Sequence, residues 1–247
     1  MTKETKKWWE GASKDYQKEC NIPIDINYGP GSPNEDHYKL LGKLKGKKVL
    51  EIGCGGAQCG IAMAKRGAKV TGIDISKEQL KFAENLAKKN KVKIKFYQGD
   101  IESLKQIKSN SQDIVFSAWA LLYVNDLLKC FKEVKRVLRK NGLFVFSLNH
   151  PFWGIVDKDA MKVNKSYFKT GKYTQIFADK TKKFVMYRHT TSGLHNNLVK
   201  AGFIVERIIE PDSQKKYSHD PWYNLWDYKL KALKMIPPTI IFKARKR

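Results

Sequence analysis

A chain of 247 residues with 42% hydrophobic content is long enough to bury a real core but short for two full domains, so one domain with an added cap is expected. No apolar run approaches the roughly 18 residues of a membrane span. The N-terminal MTKETKKWWE lacks the apolar stretch of a secretory signal, so a cytoplasmic protein is expected. The formal charge is +24, from 48 basic and 24 acidic residues, which suits either a polyanion partner such as RNA or a lysine-rich composition with no such partner.

Only seven of the 48 basic residues are arginine, the preferred side chain for bidentate phosphate and base contacts. The lysines scatter through nearly every expected helix, with no single basic arm, so composition is the favoured reading and a nucleic acid the second. The four cysteines, Cys20, Cys54, Cys59 and Cys130, form no C-x-x-C pair and have no histidine cluster near them. Zinc needs about four convergent ligands. No metal is expected, and the thiols read as small, reduced hydrophobes.

In chain order, KWWEGASKDYQKEC reads as an amphipathic helix with Trp8, Trp9, Ala12 and Tyr16 on one face. NYGPGSPNEDH is turn-rich, and Ser32 or Asn34 is placed to cap a short helix through HYKLLGKL. A regular alternation starts at Lys47. KKVLEIG is a strand, AQCGIAMAKRG a helix and AKVTGIDI a strand. SKEQLKFAENLAKKN is a helix capped by Ser76, and VKIKFYQGD and DIVFSAW are strands. NDLLKCFKEVKRVLRKNG is a helix closed by Gly142, and GLFVFSLNH a strand. After Pro151 come short β-like runs around a polar DKTKK turn, then a helix ending at Gly202 and the strands FIVERIIEP and PPTIIFKAR. The expected fold is α/β: a doubly wound, Rossmann-like sheet, mostly parallel with an antiparallel edge strand, plus an N-terminal helical cap and an inserted lid. The boundaries within a single 1–247 domain are 1–44 for the cap, 45–150 for the cofactor-binding core, 151–190 for the lid, and 191–247 for the last helix and edge strands.

In such a sheet, ligands bind beyond the carboxyl ends of the strands. The first strand stops at Glu51-Ile52-Gly53-Cys54-Gly55-Gly56. A dinucleotide fingerprint needs glycine where Gln58 stands, and a P-loop needs a lysine that is missing. Glu51 would repel a phosphate and suits a cation. Asp74 ends the second strand about 20 residues past the glycine loop, where an acid takes ribose hydroxyls. Asp100 and Ile101 end the third strand, where the acid suits an adenine amino group, and Ser117-Ala118-Trp119 end the fourth. A ligand with an amino group, a ribose, an adenine and no phosphate is S-adenosyl-L-methionine.

VLEIGCGGAQCG, VTGIDIS, YQGDIESL and VLRKNGLFVFS resemble, in that order, the motifs of class I S-adenosylmethionine-dependent methyltransferases, and the type 11 methyltransferase-domain group in particular. The resemblance covers residues from about 45 to 150. It implies cofactor contacts at Gly53 and Gly55 (methionine end), Asp74 (ribose), Asp100 and Ile101 (adenine) and Ser117, and the wider set Glu51, Cys54, Gln58 and Ile75 falls in the same loops. Ala57 stands where the family often has a third glycine. A weaker likeness to one branch of the family lies in the flanks: an N-terminal Trp8-Trp9-Tyr16 helix over the cofactor, and Arg188, His189 and Glu210-Pro211 after the lid.

Methyl transfer is a direct displacement and needs a base only where the acceptor must lose a proton. His150, ending the fifth strand, and His189, after the lid, are placed for that role or for hydrogen bonding. His37, His195 and His219 have no such placement. The [ND]-P-P-[FY] run of enzymes acting on exocyclic nitrogens and the Pro-Cys pair of pyrimidine C5 enzymes are both missing where SAWAL stands. Phe152, Trp153, Tyr167, Phe168, Tyr173, Trp222 and Trp226 offer either cap packing or an apolar acceptor pocket. The expectation is transfer to an oxygen or nitrogen of a small organic molecule. The alternatives are an RNA or protein methyltransferase, and a cofactor-binding regulator without catalysis.

Overall fold

A computed structural model describes residues 3–176, 183–212 and 230–247. Trp222, Trp226, His219 and most of the DKTKK turn lie outside them. The chain runs α1 (Lys3–Cys20), α2 (Glu35–Tyr38), β1 (Lys48–Ile52), α3 (Gln58–Lys65), β2 (Lys69–Asp74), α4 (Lys77–Lys89), β3 (Lys95–Gln98), β4 (Gln112–Ala118), α5 (Leu127–Val137) and β5 (Leu138–Asn149). It continues through β6 (Val156–Asp157), β7 (Lys162–Val163), β8 (Gly171–Ile176), β9 (Lys183–Arg188), α6 (Thr191–Lys200), β10 (Phe203–Ile209), α7 (Leu230–Leu233) and β11 (Thr239–Lys246).

Seven strands form one sheet in the order β10-β11-β5-β4-β1-β2-β3. The five from β3 to β5 pair in parallel. β11 runs antiparallel between β5 and β10, which brings the C-terminal strand in beside the outermost one. The segment 151–190 contributes two small hairpins, β6–β7 and β8–β9. The doubly wound, mostly parallel α/β architecture expected from the sequence is the one observed.

The near-continuous apolar runs of the central strands reflect burial on both faces. Successive side chains alternate. Leu50, Phe144 and Phe146 enter the layer under α5 and α6 with Phe131 and Leu194, whereas Val49 and Val145 enter the opposite layer with Met63 and Leu40.

Two local expectations are corrected. The helix before β5 ends at Val137, not at Gly142. Leu138 pairs with Gln112, and the chain then bulges through Arg139–Gly142 before Leu143 pairs with Ile114. Asn141 takes the left-handed conformation within that bulge (φ 60°). The HYKLLGKL segment is not a helix beyond Tyr38. Asn34 sits at the start of α2, but its side chain donates to Asp25 Oδ2 (2.6 Å) rather than capping the helix. The buried Glu35 carboxylate accepts the Leu40 and Leu41 amides (3.0 and 2.7 Å), which pulls the chain out of helical register.

Candidate active site

The loop after β1 turns on Gly53 (φ 66°) and Gly55 (φ 50°), a region that costs an L-residue roughly 1–2 kcal/mol. A Cβ at Gly53 would also collide with Ala120 Cβ. The Cys54 amide donates to Ile73 O (3.0 Å), pinning the loop to β2. Ala57 holds a left-handed conformation (φ 58°) at the start of α3. The missing third glycine is therefore a position where the backbone itself favours glycine, and this chain keeps a methyl group there, buried with Leu80 and Ala83.

Behind this loop lies a partly open cavity. Its acidic floor is Glu51 and Asp74. Glu51 is 4% exposed, and its Oε2 has no hydrogen-bond partner. Burial raises its pKa to about 8, opposed by the Gly60 amide and reinforced by the nearby Asp74 charge. Asp74, 8% exposed, accepts the Gly55 amide at Oδ2 (2.8 Å) and the Ser76 amide at Oδ1 (2.9 Å). Burial raises its pKa to about 6 against the Ser76, Gly55 and Ile75 amides. A carboxylate has about four acceptor sites, so Asp74 retains capacity after both bonds.

The roof is aromatic. Trp9, Tyr16, Trp119 and Tyr123 line the same cavity, with Trp9 edge-on to Tyr16 and to Tyr123 at centroid distances of 5.1 and 5.7 Å. Trp119 directly follows β4 in a left-handed conformation (φ 57°). It packs so closely on Gly29 that a Cβ there would overlap its indole. Its Nε1 donates to Thr239 Oγ1 (3.2 Å), and Thr239 donates in turn to Pro30 O (2.6 Å). This non-glycine outlier at a strand end is held by two separate segments, 29–30 and the start of β11, as strained functional residues are.

α1 closes the cavity from outside the sheet. Gln58 Nε2 donates to Gln17 Oε1 (2.7 Å), and Gln17 Nε2 donates to Gln79 Oε1 (2.8 Å), which joins α3, α1 and α4 through buried amides. Glu10 accepts the Lys77 and Glu78 amides (3.0 and 3.3 Å), so a carboxylate on α1 serves the positive end of α4.

Of the residues singled out from sequence, Glu51, Gly53, Cys54, Gly55, Gln58, Asp74, Ile75 and Ile101 line this one cavity. Asp100, Ser117, His150 and His189 do not. Asp100 sits in the turn after β3, where its Oδ1 accepts the Glu102 amide (2.9 Å). Ser117 is fully buried and donates to Ile52 O (3.0 Å), tying β4 to β1. His150, 6% exposed, accepts the Phe152 amide at Nδ1 (3.1 Å), which leaves its Nε2–H to donate to Glu210 Oε1 (2.8 Å). Burial lowers its pKa, partly offset by Glu210. Both ring nitrogens are thus engaged in bracing the end of β5 against the end of β10. His189 lines a separate, smaller cavity with Leu148, Asn149, Tyr187 and Arg188. Its Nε2 is buried without a partner, and burial lowers its pKa to about 4.

Glu10, Gln17, Gln79 and Tyr123 were not legible as site residues, whereas Trp119 was, as the aromatic end of the fourth strand. Only Gln17 left a trace, a polar side chain beside Tyr16 on the helical cap. Among the described residues, no cluster of His, Cys, Asp or Glu could hold a metal ion, and no helix is long and apolar enough to cross a membrane. The four cysteines are free and buried.

The donor set suits a cofactor with a cationic amine: a buried carboxylate oxygen without a partner, above a glycine turn that admits no side chain, with a second acid at the end of the next strand. The comparisons with known proteins agree. The methyltransferase-domain family matches residues 43–200. A protein of Haemophilus influenzae without assigned function is 31% identical over 247 residues, covering 94% of this chain and 92% of that protein. A ubiquinone biosynthesis O-methyltransferase of Pelagibacter ubique is 35% identical over 153 residues, covering 60% of this chain and 62% of that enzyme. An S-adenosylmethionine dependent methyltransferase from Mesorhizobium loti shares the fold with a TM-score of 0.69 at 23% identity, over 85% of this chain and 95% of that one. The chain belongs to the methyltransferase-domain family and is a class I S-adenosylmethionine-dependent methyltransferase.

Proposed function

We propose that the enzyme moves a methyl group to an oxygen or nitrogen of a small organic acceptor, with oxygen favoured. The observation that carries this reading is the lining of the cavity. Trp9, Tyr16, Trp119 and Tyr123 roof it, and no lysine, arginine or histidine lines it among the described residues. A polyanionic acceptor would need cations at the mouth. The excess of lysine therefore supplies no pocket chemistry, and an RNA acceptor takes second place. The O-methyltransferase name of the 35% identical relative supports oxygen, although the shared region covers only part of that enzyme.

In this reading Glu51 holds the cofactor's amine and Asp74 its ribose, with Gly53, Cys54, Gly55 and Gln58 shaping the loop around its methionine end. Ile75 and Ile101 pack its adenine. Asp100 and Ser117 support the cofactor from behind, by fixing the turn after β3 and the end of β4. The bound cofactor supplies an electrophilic methyl group on a sulfonium. The chain's own contribution is to exclude water under the aromatic roof and to orient the acceptor for in-line attack. His150 serves as a brace, because neither ring nitrogen is available. His189, which keeps an unpartnered Nε2 in a separate cavity, is the histidine proposed to act on an acceptor that reaches past the roofed cavity.

The test is a radiolabelled methyl-transfer screen on fractionated small metabolites beside unmodified tRNA. Label in a small-molecule fraction is expected. Label in tRNA alone would overturn the reading.

A further inference from the structure

The two edges of the parallel sheet carry opposite charges. Glu51, Asp74 and Asp100 lie toward the carboxyl ends of β1, β2 and β3, whereas Lys48, Lys69 and Lys95 are the first residues of the same three strands. Lys48 and Lys69 are register partners in the pair β1–β2, and Lys95 is the partner of Thr71. The loops that feed these strands add Lys45, Lys47, Lys91 and Lys93, all exposed, and the stretches 43–48, 65–69 and 91–95 contain no acid. A shallow depression at this edge is lined by Lys48, Lys69, Lys93 and Lys95 with Thr71 and Gln112, and no carboxylate lines it.

The arginines of this edge are paired, and the acids that reach it are occupied. Asp113 holds Arg139 and the Lys48 amide, both at 2.8 Å, and Asp36 holds Arg66 at 2.9 Å. Glu84 of α4 lines a neighbouring depression with Lys88, Lys93 and Lys95, one acid to three lysines. Among the described residues, no ion pair neutralises Lys48, Lys69, Lys93 or Lys95, and Lys95 lies over the Tyr97 ring at 4.9 Å from its centroid. Elsewhere the coat is mixed, as on α4, where Lys81 pairs with Glu78. Like charges at facing positions of neighbouring strands are destabilising, so this row weakens the pairing of β1 with β2 until an anion covers it.

We propose that the amino edge of the sheet docks the phosphate backbone of double-stranded RNA through Lys48, Lys69, Lys93 and Lys95, as a tether and not as the methyl acceptor. This partner is separate from the small acceptor proposed above. β1 spans five residues, roughly 16 Å at the rise of a strand, and that length separates the docked backbone from the glycine loop at the other end. Lysine offers a point charge to phosphate without the fork that reads bases, so the contacts carry no sequence preference. The edge is built of strand starts and loop tips, with no helix or ribbon standing out of it to enter the major groove of DNA. A-form RNA presents a wide, shallow minor groove that is recognised by shape and by phosphate and 2′-hydroxyl contacts. An anionic bilayer fits less well, because none of these stretches exposes a large apolar side chain as an anchor.

The experiment measures, by fluorescence anisotropy, binding of the full-length protein to a labelled RNA duplex of about 20 base pairs, longer than the roughly 16 that a compact duplex-RNA module spans. Binding is expected, and it should weaken at least about tenfold between roughly 50 and 200 mM salt. Lys48→Gln, Lys69→Gln, Lys93→Gln and Lys95→Gln combined should weaken it at least about tenfold at the lower salt, with S-adenosylhomocysteine affinity unchanged. A charge-matched variant, Lys132→Gln, Lys162→Gln, Lys165→Gln and Lys169→Gln, removes exposed lysines elsewhere and should stay within about threefold of the wild type. Equal losses in the two variants would overturn the proposal, since net charge alone would then hold the RNA. So would a wild type that does not bind the duplex at the lower salt, binding that salt leaves unchanged, or tighter binding to a DNA duplex or to phosphatidylserine vesicles than to RNA. Transfer of a methyl label to the bound duplex would end its role as a tether, whereas failure of the small-acceptor reading in the metabolite screen leaves the binding measurements untouched.

Discussion

Gln58, the first residue of α3, donates through Nε2 to Oε1 of Gln17 on α1 at 2.7 Å. The bond joins the helix behind the glycine loop to the helix that covers it, and Gln17 passes the link on to Gln79 of α4. All three amides are buried. Replacing Gln17 by alanine leaves Gln58 and Gln79 without these partners. We expect a loss of about 1–3 kcal/mol in stability, read from the shift in urea midpoint at constant slope. A change below about 0.5 kcal/mol would mean that water restores the ladder and that α1 is held elsewhere.

Asp74 carries two duties, since it holds the Gly55 amide and, in the proposed reading, the ribose. Asp74→Ala is expected to weaken S-adenosylmethionine binding by at least about tenfold, the worth of one charge-assisted hydrogen bond. Calorimetry giving an unchanged affinity would remove Asp74 from the site.

Glu51 couples cofactor binding to pH. Its folded pKa, about 8, lies above the usual carboxylate value of 4.5. The folded free protein therefore binds the extra proton between these limits. The corresponding stability is fully present below pH 4.5 and is lost as pH rises through 8. Glu51→Gln removes this dependence. Its melting temperature should gain on that of the wild type as pH rises from 5 to 9, while cofactor affinity falls. Parallel melting curves for the two proteins across that range would refute the assignment.

His189 acts with the opposite sign. Its folded pKa, about 4, lies below the usual 6.5. The unfolded chain binds the extra proton in that window, so stability is present above pH 6.5 and is lost as pH falls toward 4. His189→Gln should reduce acid sensitivity in thermal melts, and should lower turnover while leaving cofactor affinity near normal. Equal loss of turnover and of affinity would make it structural.

His150 provides the contrast. With its Nδ1 accepting the Phe152 amide and its Nε2 donating to Glu210, His150→Ala is expected to cost about 2–3 kcal/mol through the partners left unpaired. The turnover of the remaining folded enzyme should be preserved. A loss of turnover with unchanged stability would return it to the reacting groups.

The order of elements and the parallel core were legible because periodicity and capping are local. Ser76 caps α4 by accepting the Gln79 amide, as its place before Lys77 implied. The α5 end misled because KNG reads as a helix stop, whereas Leu138 had already left to pair with Gln112 across the sheet. Pairing between strands is invisible to a local pattern.

The amino-acid sequence by itself determined the class of enzyme. A glycine turn that excludes a phosphate, together with acids ending successive strands, is a one-dimensional pattern, because each parallel strand delivers its last residue to the same edge of the sheet. Which of those residues share a cavity was decided only by tertiary structure. Asp100 and Ser117 went to the backbone around them, and His150 to Glu210 across 60 residues of chain. Gln17 and Glu10 came into play from a helix far away in the chain. Hydrogen-bond partners are chosen by proximity in space, and a buried polar group takes whichever partner the packing brings to it.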